Sequence, residues 1–248
     1  MKGVRCFVVD LDGVVYKGSE VIPGADRKIA KLREKGKLFF LTNNSSQSRA
    51  SYVKKLEGFG IPAIEEEIIT SGYVAARYVK SKYRSPKVFL VGEEGLREEM
   101  ELQGIKSCWS KCDAVVVGID RKLNYAKIAL AMKMIRSGAE FIATNKDNTL
   151  ITESGQLPGA GAVVSAIETA SQREPTVVGK PSRIMAETIL GISGVKPEEI
   201  LVIGDRLETD IAMGKNAGMK TALVLTGYAK KEDIASSKFK PDYVLDAL

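Results

Sequence analysis

Short apolar runs alternate along the whole chain with stretches whose apolar positions recur at helical spacing. The runs are CFVV, KLFFLT, EIIT, KVFLVG, DAVVVG, EFIAT, PTVVG, ILVIG, KTALVLT and DYVL. Nearly continuous runs of this length read as strands buried on both faces. Between them, DRKIAKLREKG, SRASYVKKLEGFG, YAKIALAMKMIRSG and RIMAETILGIS read as amphipathic helices. Gly36, Gly60, Gly138 and Gly218 stand where a left-handed residue is expected to end a helix. Strand–helix alternation of this kind predicts an α/β fold, a doubly wound parallel sheet covered by helices on both faces.

Ten such runs are many for one doubly wound sheet, so two sheets are expected. Polar stretches suited to a site cluster toward the two ends of the chain. Between Tyr73 and Pro175 about 100 residues keep a strand–helix rhythm of their own, the size of a domain. The expected architecture is a catalytic core formed by 1–80 and 176–248, with 81–175 inserted as an α/β cap domain. The strand in PTVVG is assigned to the core.

Four polar stretches directly follow apolar runs: Asp10-Leu11-Asp12-Gly13, Leu41-Thr42-Asn43-Asn44-Ser45, Val178-Gly179-Lys180-Pro181-Ser182, and Ile203-Gly204-Asp205 through Asp210. Ligands bind at the carboxyl ends of parallel strands. Four parallel strands would therefore bring Asp10, Asp12, Thr42, Asn43, Lys180, Asp205 and Asp210 to one crevice. Two carboxylates as close as Asp10 and Asp12 repel each other unless a cation lies beside them. Three or four carboxylates suit Mg²⁺, a hard cation that takes oxygen ligands and keeps waters for a phosphate. Lys180 and the Thr42 hydroxyl suit the oxygens of a transferring phosphoryl group. One aspartate would attack phosphorus, and a carboxylate two residues on would protonate the leaving alcohol and then activate water. Each stretch also has a plainer reading: a polar loop, a helix N-cap at Ser45, Ser46, Ser48 or Ser182, or a charge at a helix start. Their joint occurrence after apolar runs favours the site.

Composition narrows the chemistry further. The chain of 248 residues contains no histidine, which excludes Ser-His and Cys-His nucleophile pairs. Cys6, Cys108 and Cys112 form no C-x-x-C pair; Cys108 and Cys112 could meet on one helical face, but SCWSKCD offers no further ligands and the two are read as incidental thiols. The formal charge of +6 comes from basic residues interspersed with acidic ones. No nucleic-acid partner is expected, only a mild field favouring small anions. No run is long enough to span a membrane, and MKGVRCFVVDLDG lacks the features of a signal peptide. The expectation is a cytoplasmic protein with no membrane partner.

These motifs resemble the haloacid dehalogenase superfamily of aspartate-nucleophile phosphatases, and most of all its NagD-like branch of para-nitrophenyl and phosphoglycolate phosphatases. The resemblance covers essentially the whole chain. It includes VIPGA at Val21–Ala25, FIATNKD at Phe141–Asp147 and LPGAGA at Leu157–Ala162. It implies Asp10 as nucleophile and Mg²⁺ ligand, and Asp12 as general acid/base with its backbone carbonyl on the metal. It implies Thr42, Asn43 and Asn44 as the phosphoryl-holding loop, Lys180 as charge stabiliser, Asp205 as metal ligand and Asp210 as support for the metal. It makes the insertion a cap whose Asn145, Lys146 and Asp147 reach the substrate, and it allows a homodimer through that cap. Lys146 departs from the proline or arginine often found there, which bears on substrate preference. Transport ATPases of the superfamily carry threonine where Asp12 stands, so Asp12 favours a phosphatase.

The implied function is Mg²⁺-dependent hydrolysis of a small phosphorylated metabolite. A phosphotransferase using the same intermediate, and a non-enzymatic phosphoacceptor or metabolite-binding module, are the alternatives. Gly159-Ala160-Gly161 lacks a third glycine for a dinucleotide motif and follows ITESGQL, a poor strand, so it is read as a turn before a helix.

Overall fold

The computed structural model describes residues 3–152 and 155–248. The chain opens with β1 (Cys6–Asp10), a small hairpin of β2 (Tyr16–Lys17) and β3 (Glu20–Val21), then α1 (Ala25–Arg33) and β4 (Lys37–Thr42). It continues through α2 (Arg49–Gly58), β5 (Ile68–Thr70), α3 (Ser71–Lys82), β6 (Lys87–Val91), α4 (Glu94–Leu102) and β7 (Lys106–Ser107). Next come β8 (Ala114–Val117), α5 (Tyr125–Arg136), β9 (Glu140–Ala143), β10 (Thr149–Thr152), β11 (Gly155–Pro158), α6 (Ala160–Ser171) and β12 (Thr176–Val177). The last elements are α7 (Arg183–Ser193), β13 (Ile200–Gly204), α8 (Ala212–Asn216), β14 (Lys220–Val224), α9 (Asp233–Ser236) and β15 (Tyr243–Leu245).

Two parallel sheets result. The first has the order β15-β14-β13-β1-β4-β5, the second β12-β9-β8-β6-β7. Every residue of β1 and β13 is buried, as continuous apolar runs require in a sheet covered on both faces. β1 lies between β4 and β13, where the strand order reverses, and this reversal opens the crevice beyond their carboxyl ends. One apolar cluster runs across both sheets, joining Val8 and Leu41 to Val88 and Val116 through Val74 and Val79 of α3.

Each apolar run read as a strand is one, but one of them sits elsewhere than expected. Thr176 and Val177 pair with Ile142 and Ala143 at the edge of the second sheet, not in the first. An apolar run signals a strand but carries no information about its partner. Three of the four motif-bearing strands therefore share the core sheet, and the fourth motif follows the edge of the other. The ITESGQL segment also differs from its reading: Thr149–Thr152 and Gly155–Pro158 form an antiparallel hairpin, while Glu153 and Ser154 lie outside the described residues. Its strands form a separate two-stranded ribbon, so no run of buried apolar residues announces them.

Gly60, Gly138 and Gly218 are left-handed, at φ 72°, 103° and 72°. Gly36 is not: it is needed because a side chain there would collide with the Arg5 carbonyl. Cys108 and Cys112 are joined in a disulfide within the loop between β7 and β8, which corrects the reading of unrelated thiols. The loop folds back so that their Cα atoms lie 5.7 Å apart, within disulfide reach, although no helix carries them. Cys6 remains a buried thiol. Among the described residues no helix is long and apolar enough to cross a membrane.

Candidate active site

The site begins with the turn that ends β1. The Gly13 N–H donates to the Tyr16 carbonyl at 2.8 Å and Val15 N–H to the Leu11 carbonyl at 2.9 Å, folding the segment into a compact loop. Gly13 has φ 83°, and a Cβ there would lie 2.5 Å from Asp205 Oδ2. Only glycine both accepts that conformation and leaves the Asp205 carboxylate its place. Thr226 Oγ1 ties the loop down by donating to the Gly13 carbonyl at 2.7 Å.

Asp10, Asp205 and Asp210 meet beneath this loop. One carboxylate oxygen from each lies within 4.8 Å of the others, and all three residues are buried. Lys180 Nζ donates to Asp10 Oδ1 at 2.6 Å and to Asp210 Oδ1 at 2.7 Å. Tyr228 N–H donates to Asp205 Oδ2 at 2.7 Å. Asp210 sits on a wide, π-type turn at Leu207–Ile211 that enters α8, and its Oδ2 accepts from the Arg206 N–H at 3.3 Å. Such wide turns occur preferentially at functional sites.

Electrostatics follow from burying three acids around one amine. Burial, reinforced by Asp210 and Asp205 and opposed by Lys180, pushes the Asp10 carboxyl well above the usual carboxylate range. Burial and then Asp210 raise Asp205 to about 6. Burial alone would lower the Lys180 ammonium, but Asp10 and Asp210 outweigh it and hold Lys180 above its ordinary value. Burial also raises Asp12, against the pull of Lys55, Lys180 and Arg206. Three carboxylates and one ammonium leave an uncompensated negative charge, and every donor atom is an oxygen. The set fits a hard divalent cation.

Asn43 joins the parts of the site. Its Oδ1 accepts from the Lys180 N–H at 2.8 Å, and its Nδ2 donates to the Lys180 carbonyl at 3.0 Å and to Asp147 Oδ2 at 3.1 Å. Asn145 Nδ2 donates to the Asn43 carbonyl at 2.7 Å, and Asn145 Oδ1 accepts from Asp147 N–H at 3.0 Å. Thr42 Oγ1 accepts from the Asn44 N–H at 3.1 Å, closing the turn that Ser48 ends by capping α2. The glycines of LPGAGA brace the cap loop. Gly161 N–H donates to the Asp147 carbonyl at 2.9 Å, and side chains at Gly159 or Gly161 would strike that carbonyl.

Asp10, Asp12, Thr42, Asn43, Asn44, Asn145, Asp147, Lys180 and Asp205 all line one cavity of about 60 Å³. Asp210 lies behind it, holding Lys180. Lys146 is not brought to this cavity: it lines only a wider outer hollow of about 550 Å³, and its ammonium pairs with Glu168 at 2.7 Å. Residues not singled out in the sequence stand at the junction of the two spaces. Arg206 and Thr209 line both, and the Arg206 guanidinium lies 4.5 Å from the Tyr228 ring. Both fall inside the Ile203–Asp210 motif, whose spacing could have suggested them.

Both the sequence and the fold match known proteins. The haloacid dehalogenase-like hydrolase family matches residues 7–106, and the HAD-hydrolase-like family matches 177–248. The chain is 38% identical to the 5'-nucleotidase YutF of Bacillus subtilis, over 100% of this chain and 97% of that one. A 4-nitrophenylphosphatase from Thermotoga maritima superposes with a TM-score of 0.94 at 34% identity, covering 99% of this chain and 95% of that one. A glycerol phosphate phosphatase from Mycobacterium tuberculosis, solved in complex with magnesium, gives 0.92 at 32% identity, covering 99% and 75%.

Proposed function

We infer that this chain, which belongs to the haloacid dehalogenase-like hydrolases and is a phosphatase of their NagD-type branch, hydrolyses small phosphomonoesters through a phosphoryl group carried on Asp10. The observation that carries this reading is the clamp of Lys180 on Asp10 and Asp210 at the floor of the cavity. Lys180 engages Oδ1 of Asp10, and Oδ2 accepts no hydrogen bond among the described residues. That oxygen is the nucleophile. It forms a bond to phosphorus as the ester P–O bond breaks, and Asp12 gives its proton to the departing alkoxide. Asp12 then takes a proton from water, which attacks the same phosphorus and releases Asp10 and phosphate.

Lys180 remains beside the nucleophile throughout and balances charge gathering on the phosphoryl oxygens. Thr42 and the loop it closes line the cavity where those oxygens would lie. Asn43 fixes Lys180 through both backbone groups of that residue and holds Asp147 of the cap loop at the same time. Asp10, Asp205 and Asp210, with the Asp12 carbonyl, are the residues to hold Mg²⁺. When bound it would neutralise the acidic cluster and the phosphate together.

Relatives named for a nucleotide, glycerol phosphate and 4-nitrophenyl phosphate support a small phosphomonoester as substrate. The outer hollow, with Arg206 and Tyr228 at its wall, is the place for the leaving group. The test is release of inorganic phosphate from 4-nitrophenyl phosphate and a panel of small phosphate esters, with Mg²⁺, with EDTA and with Asp10→Asn. Turnover that needs the metal and vanishes in the variant is expected. Turnover undiminished in Asp10→Asn would overturn the covalent route.

A further inference from the structure

Among the described residues only three buried side-chain polar atoms lack a hydrogen-bond partner, and two of them are the hydroxyls of Tyr16 and Tyr52. The two tyrosines are 0% and 1% exposed. A buried hydroxyl without a partner destabilises a fold, and a phenyl ring of the same shape would not. These two orphans are also neighbours of the reacting groups. Tyr16 follows the Asp12 turn and bridges to Asp12 through the backbone. Its hydroxyl faces the Asp12 carboxyl, and the Tyr52 hydroxyl faces Thr42 and Tyr16.

The surroundings hold them there. Tyr52, Lys55 and Phe59 follow one another along the face of α2 and its end, directly after the Thr42 loop. Lys55 Nζ lies 3.7 Å from the centre of the Tyr16 ring, and the Phe59 ring packs at 5.4 Å. A phenol hydroxyl can both donate and accept a hydrogen bond. Catalytic hydrogen bonds often tighten only in the substrate complex.

We propose that Tyr16, backed by Tyr52, is a positioning residue whose hydroxyl orients the Asp12 carboxyl for proton transfer to the leaving oxygen. The proposal rests on the phosphatase reading above. In the step concerned the Asp10–phosphorus bond forms, the ester P–O bond breaks, and the proton moves from Asp12 to the departing oxygen. Tyr16 donates to the other Asp12 oxygen and gives up no proton. The role is costly to the fold and explains why the hydroxyls persist without partners.

The experiment compares wild type, Tyr16→Phe and Tyr52→Phe, which remove only an oxygen and leave the packing in place. kcat/KM reports the first phosphoryl transfer alone. It is measured for 4-nitrophenyl phosphate, whose leaving group departs without a proton, and for glycerol phosphate, whose alkoxide needs one. For Tyr16→Phe we expect roughly a tenfold loss on the alkyl ester, a part of the 10²–10⁴ a general acid contributes. Little change is expected on the aryl ester, with Tm equal or higher and the Mg²⁺ requirement unchanged. Tyr52→Phe should move the same way by less. Equal losses on both esters, no loss on either, or a lowered Tm would overturn the proposal. A wild type inactive on every ester would instead overturn the phosphatase reading.

Discussion

Lys180 Nζ donates to Asp10 Oδ1 at 2.6 Å across 170 residues of sequence, and both side chains are buried. The same ammonium holds Asp210 at 2.7 Å. Removing it leaves two buried carboxylates without their shared cation. Breaking a buried pair on one side costs about 3–5 kcal/mol. Lys180→Met should therefore lower the Tm of the EDTA-treated protein by about 10 °C and reduce kcat/KM at least about a hundredfold. Lys180→Arg should not restore activity, because a planar guanidinium cannot replace a compact ammonium between two carboxylates. Calorimetry and phosphate release check both. An unchanged Tm in Lys180→Met would refute the clamp.

Acidity tests the same cluster from the other side. Burial and Asp210 raise Asp205 to about 6, above the ordinary value of an unfolded chain near 3.9. The folded, metal-free protein then binds more protons than the unfolded chain between about pH 4 and pH 6. The contribution of Asp205 to stability is present at the acid end and lost as pH rises through 6. Asp205→Asn removes that dependence. In EDTA the variant should gain Tm over wild type at pH 7 and lose about half of that gain at pH 5. Mg²⁺ should reverse the order at pH 7, since only wild type keeps the full carboxylate set. Differential scanning calorimetry of both proteins in EDTA at the two pH values, and with Mg²⁺ at pH 7, checks each of these.

The thiol arrangement carries its own expectation. Cys108 and Cys112 are paired, and Cys6 is buried with its thiol pushed up to about 11 by burial, against the pull of Lys37. The native oxidised protein should react with almost no thiol reagent. Dithiothreitol should expose two reactive thiols, and denaturant a third. Trp109, the one tryptophan of the chain, lies between the paired cysteines, 72% exposed. Its fluorescence should change on reduction and not with Cys6→Ser. Two reactive thiols before reduction would contradict the pairing.

Much of this was legible in the sequence because the chemistry sits on local signals. Asp10, Asp12, Thr42 and Asp205 each follow an apolar run closely, and β1, β4 and β13 do lie side by side. Lys180 follows a strand of the second sheet, not of the core sheet, and the Asn43 side chain, bonded to both backbone groups of the lysine, holds it at the site. Strand pairing and side-chain hydrogen bonds depend on tertiary packing, which no periodicity encodes. The same limit hid the disulfide, the outer-wall role of Arg206 and the partnerless hydroxyls of Tyr16 and Tyr52. Lys146 stood in a motif, yet its partner Glu168 is on α6, 22 residues away.

The contact between cap and core can be perturbed without touching the chemistry. Gly95, in the first turn of α4, donates its N–H to the Ser46 carbonyl at 3.2 Å, and a side chain there would collide with the Gln47 backbone. Backbone cannot move aside as a flexible side chain can, so Gly95→Ala must push α4 away from the loop that begins at Thr42. Overpacking of this kind costs about 1–3 kcal/mol. The displaced loop should lower kcat/KM on every ester alike, unlike Tyr16→Phe. Gly191→Ala is the control: it lies in α7 with no atom near the added carbon. There alanine should stabilise by about 0.5–1 kcal/mol and leave activity unchanged. If Gly95→Ala matched the control in both Tm and turnover, α4 would not brace the loop that begins at Thr42. A loss in Tm with full activity would confine its role to stability.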